Sequence, residues 1–271
     1  MTKRPPTEAE RPGASRQPPR QPPRKPPGKP PGKPPRKPSR RPLGLGLPLM
    51  LVVVAALVVS ALPERLKPWT PLHPDDPPSA LTRWKLAGLA ADPQACRTFL
   101  RAAGLGWEEV PDRREGSFCA IENAVRLAPG SLGLAPNVPV MRCPVAAGLV
   151  IWRRHGLEPL AREVMGAELD TITHIGTYNC RRQRGNGSGL PSEHATANAI
   201  DITGFTFKGA PAARLPESWD QSADGDGRRA RFLRGAQAEA CRVFKVVLGP
   251  ESNAAHAGHF HLDMGPFWSC R

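Results

Sequence analysis

Three histidines fall within six residues near the end of the chain, His256, His259 and His261, and Leu262-Asp263 follows at once. Upstream stands Ser192-Glu193-His194, with Asp201 seven positions after that histidine. Side chains two residues apart on a β-strand leave the same face, so a strand here presents His259 and His261 together. Two imidazoles, a distant histidine and a carboxylate are a donor set suited to Zn²⁺, and three protein ligands leave one position open for water. That is the chemistry of metal-assisted hydrolysis. Taken singly, Asp201 reads as a capping or salt-bridged carboxylate and His194 as a surface loop histidine. Only seven histidines occur in the chain, and the four-member spacing favours the metal.

The elements around these residues must bring them together. A loop delivers His194, and a buried strand over 199–203 delivers Asp201. The last strand runs over 259–264. Residues 169–178 alternate as a strand, and 181–189 (RRQRGNGSG) read as an exposed, mobile loop. Asn186-Gly187-Ser188 matches a glycosylation sequon and is read as part of that loop. Asp92-Pro93 opens a helix that extends to residue 103, and Gly104-Leu105-Gly106 breaks it. A short strand is predicted over 125–127. Cys143-Pro144 opens an apolar helix over 145–155, and a separate short helix covers 160–166. Phe232, Leu233, Ala236, Ala240, Val243, Phe244 and Val247 recur at helical spacing and predict one amphipathic helix over 228–248. Trp107, Trp152, Trp219 and Trp268 read as core or rim packing rather than a sugar platform. The sum is an α+β domain over 81–271, a small antiparallel sheet flanked by helices.

The remainder differs in composition. Residues 1–42 hold 15 of the 34 prolines, repeat PPRQ/PPRK/PPGK units over 18–37, and carry 13 Lys/Arg against Glu8 and Glu10. So few apolar groups cannot offset the entropy of ordering, so this is a disordered basic tail. It accounts for most of the net charge of +14. Residues 43–62 contain no charge and predict a transmembrane anchor with the tail in the cytoplasm, followed by a Pro-rich stalk over 63–80. Topology and lipid contact then explain the tail better than DNA, and no nucleic-acid partner is expected. Val59-Ser60-Ala61 also suits a signal peptidase, so secretion after cleavage is the rival to an inner-membrane anchor. All six cysteines follow this segment, and an even count in an exported domain predicts disulfides rather than thiolate metal ligands. Fifteen pairings are open, and nearness in sequence favours Cys96–Cys119.

The combination of S-x-H-x6-D with H-x-H resembles the LAS-type zinc peptidases, D-alanyl-D-alanine carboxypeptidases and penicillin-insensitive murein endopeptidases. More closely, residues 96–270 resemble the extensin-like C-terminal domain. The strings that carry this are IGTYNCR (175–181), SEH (192–194) with DITGF (201–205), VLGP (247–250) with Asn253, and HAGHFH (256–261). The resemblance implies an LAS-type fold, His194, Asp201 and His261 as ligands of Zn²⁺, and His259 beside the metal. Arg181, after Tyr178, would grip a substrate carboxylate. Two positions depart from the pattern. Ala197 replaces a usual glycine, and Gly258 stands where the carboxypeptidases carry a glutamate base. The general base therefore falls to His256 or His259, with Glu193 and Asp263 in reserve, or His256 serves as an orienting partner. The expected function is a periplasmic zinc peptidase of D,D-endopeptidase or carboxypeptidase type acting on peptidoglycan. The alternative is a non-catalytic envelope-organising protein whose metal is structural.

Overall fold

The computed structural model describes residues 46–184, 187–220 and 227–271, with Gly28, Gly32 and Gly225. Apart from those first two glycines, the tail expected over 1–42 lies outside the described residues. The chain divides into two compact units, 1–51 and 52–271. Helix α1, Gly46–Ala61, is uncharged and sixteen residues long. At ~1.5 Å per residue it spans about 24 Å, short of a hydrocarbon core of about 30 Å. Among the described residues no helix is long and apolar enough to cross a membrane, so the expected span over 43–62 finds no support there. Pro63 disfavours helical geometry at Leu62 and closes the C-terminal end, while 43–45 lie outside the described residues.

Residues 63–80, expected as a stalk, lie against the domain. His155 Nε2 donates to the Pro74 carbonyl at 2.9 Å, and Arg154 Nη1 pairs with Asp75 Oδ1 at 2.7 Å. Helix α2 is Thr82–Gly88. Helix α3 is Pro93–Ala102, capped as the sequence predicts by Asp92, whose side chain accepts from Ala95 N at 2.9 Å. Strands β1 (Trp107–Val110), β4 (Ala124–Leu127) and β6 (Met141–Arg142) form one antiparallel sheet. β2 (Arg113–Glu115) and β3 (Cys119–Ile121) pair by themselves, and β5 is Leu134–Ala135.

Helix α4, Cys143–Ile151, is wholly buried and runs without a break to residue 165. The two helices expected over 145–155 and 160–166 are therefore one. Pro159, in α5 (Glu158–Leu160), offers no N–H to the preceding turn, and widened turns over 152–157 and 161–165 absorb the defect. Gly166, at φ 65°, ends the run.

The principal sheet has seven strands. β12 (Ser269–Cys270), β10 (Val246–Leu248), β11 (Phe260–Asp263), β8 (Ala199–Phe207), β7 (Leu169–Gly176) and β5 follow in that order. β9 (Ala210–Arg214) pairs with the second half of β8. The α+β class and the flanking helices are as expected. The sheet is larger than expected, and its β5–β7 and β10–β12 pairs are parallel. Helix α6 covers Arg228–Val243 and stops five residues before the predicted end, because Phe244 turns extended at ψ 155°. The apolar period continues into 246–248, but a strand partner on each side makes that stretch β10.

Alternation sets the two faces. Ile200, Ile202, Phe260 and Leu262 are fully buried beneath the helices. Trp152 Nε1 donates to the Ala236 carbonyl at 3.0 Å, and its ring meets Phe205 and Phe244 edge-on. Gly156 permits this approach, since a Cβ there would lie 2.8 Å from Glu239 Cβ. The intervening residues Asp201, His261 and Asp263 point to the opposite face.

Three disulfides join Cys96–Cys143, Cys119–Cys180 and Cys241–Cys270. The expected Cys96–Cys119 pair is corrected. Cys96 on α3 faces the first residue of α4, with Cα atoms 6.0 Å apart, and nearness along the chain does not decide this. Replacing Cys119 and Cys180 by serine opens a separation of 61 residues. The expected loss is about 4 kcal/mol of unfolding free energy, read from the urea midpoint of the purified protein.

Candidate metal centre

His194 belongs to a single 3₁₀ turn, Glu193–Thr196, started by Ser192, whose hydroxyl accepts from His194 N at 3.3 Å. Ala197 ends the turn in the left-handed region, φ 53°, and leads the chain into β8. Glycine takes this angle freely, whereas an L side chain costs about 1–2 kcal/mol. The Ala197 carbonyl accepts from Arg142 N at 2.9 Å, so the three-stranded sheet supports the turn. Asp201 on β8 and His261 on β11 are direct cross-strand partners, and His194 is carried over them.

The three groups meet closely. His194 Nε2 lies 3.1 Å from Asp201 Oδ1 and 3.1 Å from His261 Nδ1, and His261 Nδ1 lies 3.0 Å from Asp201 Oδ1. The outer nitrogens fix the tautomers. His194 Nδ1 donates to the Thr177 carbonyl at 3.0 Å, and a carbonyl can only accept. His261 Nε2 donates to the Asp263 carboxylate at 3.0 Å. In neutral rings both inner nitrogens are then bare lone pairs, facing each other and a carboxylate oxygen. Such a group holds together only around positive charge, a proton or a metal ion. The edges of a tetrahedron with ligand bonds of ~2.0–2.1 Å are about 3.3 Å, close to these separations. The donor set therefore fits a small divalent cation, and two imidazoles with one carboxylate suit Zn²⁺. Among the described residues, His194, Asp201 and His261 are the group of this kind.

His259 precedes β11, and its Nε2 lies 3.6 Å from Asp201 Oδ1, so the H-x-H alternation does turn both rings to one side. The His256 ring centre lies 5.2 Å from that of His259 and 5.6 Å from that of His261. Asn253 holds it. Its Oδ1 accepts from Ala255 N at 3.0 Å and from His256 Nδ1 at 2.8 Å, which leaves His256 Nε2 as the lone pair. His256, His259, His261 and Asp201, with Arg181, Glu193 and Phe267, line a cleft of about 400 Å³.

Electrostatics separate the rings. Burial lowers His256 to about 4, with help from the neighbouring rings of His261 and His259, so it is neutral at pH 7. Burial also lowers His259, against the opposing pull of Asp201. Burial alone would lower His261 too, but bonds to Asp201 and Asp263 outweigh it and raise the ring to about 9. Burial pushes Asp201 up, and the two bonded histidines overcome this and hold it well below the usual carboxylate range.

Every sequence-predicted site residue lines or enters this centre. Arg181 is exposed on the cleft wall. The loop beyond it doubles back, with Gln183 N donating to the Leu190 carbonyl at 2.9 Å, and residues 185–186, including the sequon asparagine, lie outside the described residues. Tyr178 packs instead near Ile121 and Ala197, under the Arg113 guanidinium. The two reserve bases have other tasks. Glu193 accepts from Asn198 Nδ2 at 2.6 Å and fills the space a side chain at Gly265 would need. Asp263 orients His261. The orienting parts played by Thr177 and Asn253 were missed. Thr177 acts through a backbone carbonyl, which leaves no trace in residue type, whereas Asn253, three positions before His256, was a usable signal.

Fold and site together define an α+β domain, stapled by disulfides, with a histidine–aspartate cluster on one sheet face. The chain belongs to the family of the extensin-like protein C-terminus, whose model matches residues 94–271, roughly two thirds of its length. No curated protein and no solved structure matches it.

In the metal-free protein the raised His261 ring has a signed consequence. Protonation stabilises the fold fully below the ring's ordinary value of ~6.5, and this contribution disappears as pH rises through about 9. The urea midpoint should fall across that window, and the slope should flatten in Asp263→Asn.

Proposed function

We propose that this protein is a zinc-dependent hydrolase of peptide bonds in the cell wall, of the D,D-endopeptidase or carboxypeptidase type. The observation that carries the reading is the meeting of two tautomer-locked imidazole lone pairs with the Asp201 carboxylate at 3.0–3.1 Å, at the base of an open cleft. His194 Nε2, Asp201 Oδ1 and His261 Nδ1 would hold the ion, which would supply Lewis acidity and a means of making hydroxide near neutral pH. His256, neutral and with Nε2 bare, accepts the proton and passes it to the leaving amine. His259 faces the scissile carbonyl, and Arg181 takes a peptide carboxylate on the cleft wall. The resemblance of the motifs to LAS-type peptidases supports the choice of a wall peptide as substrate.

Three disulfides support a periplasmic setting. Attachment at the inner membrane draws on the exposed apolar side chains of α1, such as Leu47, Leu49 and Met50, with release after signal cleavage as its rival.

A second reading draws on His259. Its Nε2, 3.6 Å from Asp201 Oδ1, is near enough to close a four-ligand shell, and the protein would then bind wall polymer around a structural metal. X-ray absorption of the zinc-loaded protein distinguishes them. An oxygen-occupied fourth position supports hydrolysis, and a third histidine supports the binding role.

Two outcomes are expected. Asp201→Asn and His261→Ala should each abolish stoichiometric zinc, measured by elemental analysis after dialysis. With purified muropeptides the wild-type protein should release new amino termini, and His256→Gln should retain zinc while lowering kcat by ~10²-fold or more. A folded, zinc-loaded protein that cleaves none of several muropeptide types overturns the hydrolase.

A further inference from the structure

A second cavity, of about 710 Å³, lies apart from the metal centre, between residues 68–73 and helices α2 and α3. Leu72, Trp84, Leu89 and Phe99 give it an apolar wall. Leu89 and Phe99 are 6% and 2% exposed, so the wall is continuous with the core, whereas Trp84 stands 60% exposed. The volume falls within the range that holds small organic ligands.

One wall residue is out of keeping with the rest. Lys85 is 8% exposed, and Nζ donates to Thr70 Oγ1 at 3.0 Å, with both residues facing the cavity. An ammonium carries three donors, and a hydroxyl is a weak partner for a buried cation. Among the described residues no carboxylate lies within ion-pair distance, and Asp76 and Glu64 act on it only from further away. Three other polar side chains of the wall are engaged locally, Thr98 Oγ1 donating to the Gln94 carbonyl at 2.9 Å. Asp92 caps α3, and His73 Nδ1 accepts from Asp75 N. Lys85 is the single Lys or Arg among the lining residues. A buried positive charge with unused donors, set into an apolar chamber, complements a molecule with one negative end and a hydrocarbon body.

We propose that this cavity binds a single-chain amphiphile with a carboxylate head, the head on Lys85 and Thr70 and the chain against Leu72, Leu89 and Phe99. The site is independent of the metal and of the hydrolytic reading. Head-group recognition is a charge-assisted hydrogen bond on the wall of an apolar chamber, and the tail adds burial without direction.

The test uses the full chain with dodecanoate, dodecan-1-ol and dodecyltrimethylammonium, each below its micelle concentration, by calorimetric titration. Dodecanoate should bind at one per chain, at least tenfold more tightly than the alcohol, and the cationic probe most weakly. Lys85→Met should remove the preference for carboxylate over alcohol. A photoreactive diazirine carboxylate should label residues 68–73 and the α2–α3 region, which keeps the proposal testable if the Lys85 variant does not fold. Gly88→Leu adds a side chain on the cavity wall where nothing lies within 4 Å of a Cβ, and should weaken dodecanoate binding. Equal affinity for carboxylate and alcohol overturns the proposal. So does labelling confined to α1, an unchanged preference in a folded Lys85→Met protein, or no binding at all.

Discussion

Two imidazole nitrogens and a carboxylate oxygen, all turned inward, share one small volume, and the surrounding structure is arranged to hold them there. Left alone, lone pairs at 3.1 Å repel, so the arrangement depends on strong anchoring behind each ring. Thr177 anchors one ring through its carbonyl, and Asp263 anchors the other through its carboxylate. Asp201 needs no separate guide, because the pairing of β8 with β11 places it opposite His261. A one-residue slip in that pairing would turn the aspartate into the apolar core and dismantle the centre.

The rest of the fold enforces that pairing. Alternation along β8 and β11 buries Ile200, Ile202, Phe260 and Leu262 under the helices, so hydrophobic burial and assembly of the histidine–aspartate cluster demand the same register. The helical run over 143–165 and α6 provide the apolar lid of that sheet. The small three-stranded sheet supports the opposite side, where Arg142 holds the carbonyl of the strained residue Ala197. The histidine-bearing turn is therefore gripped at both ends, by Ser192 before it and by Ala197 after it.

Much of this centre is legible in the sequence alone. The S-x-H-x6-D and H-x-H spacings singled out residues that do converge, because strand alternation converts spacing into direction. The capped start of α3 was readable for a similar reason, since capping chemistry is local. What failed was decided over distance. Nothing in residues 246–248 tells that two strands wait beside them, so an apolar period carried the predicted helix too far. The helices expected over 145–155 and 160–166 are one run in which Pro159 is an accommodated defect, a distinction made by the packing around it. The cysteine pairs, 47, 61 and 29 residues apart, follow from tertiary proximity that no spacing encodes. The Thr177 carbonyl is invisible to any reading of side-chain types.

Asp263 has two oxygens and uses them differently. One receives the His261 ring, and the other receives the backbone N–H of Gly265 at 2.8 Å, at the start of the turn that leads to Phe267 in the cleft wall. A single carboxylate thus serves as a joint, with the orientation of the His261 ring on one arm and the contour of the cleft on the other. A change of protonation at His261 is felt first by this joint, and a displacement of the aromatic wall bears on the same pivot.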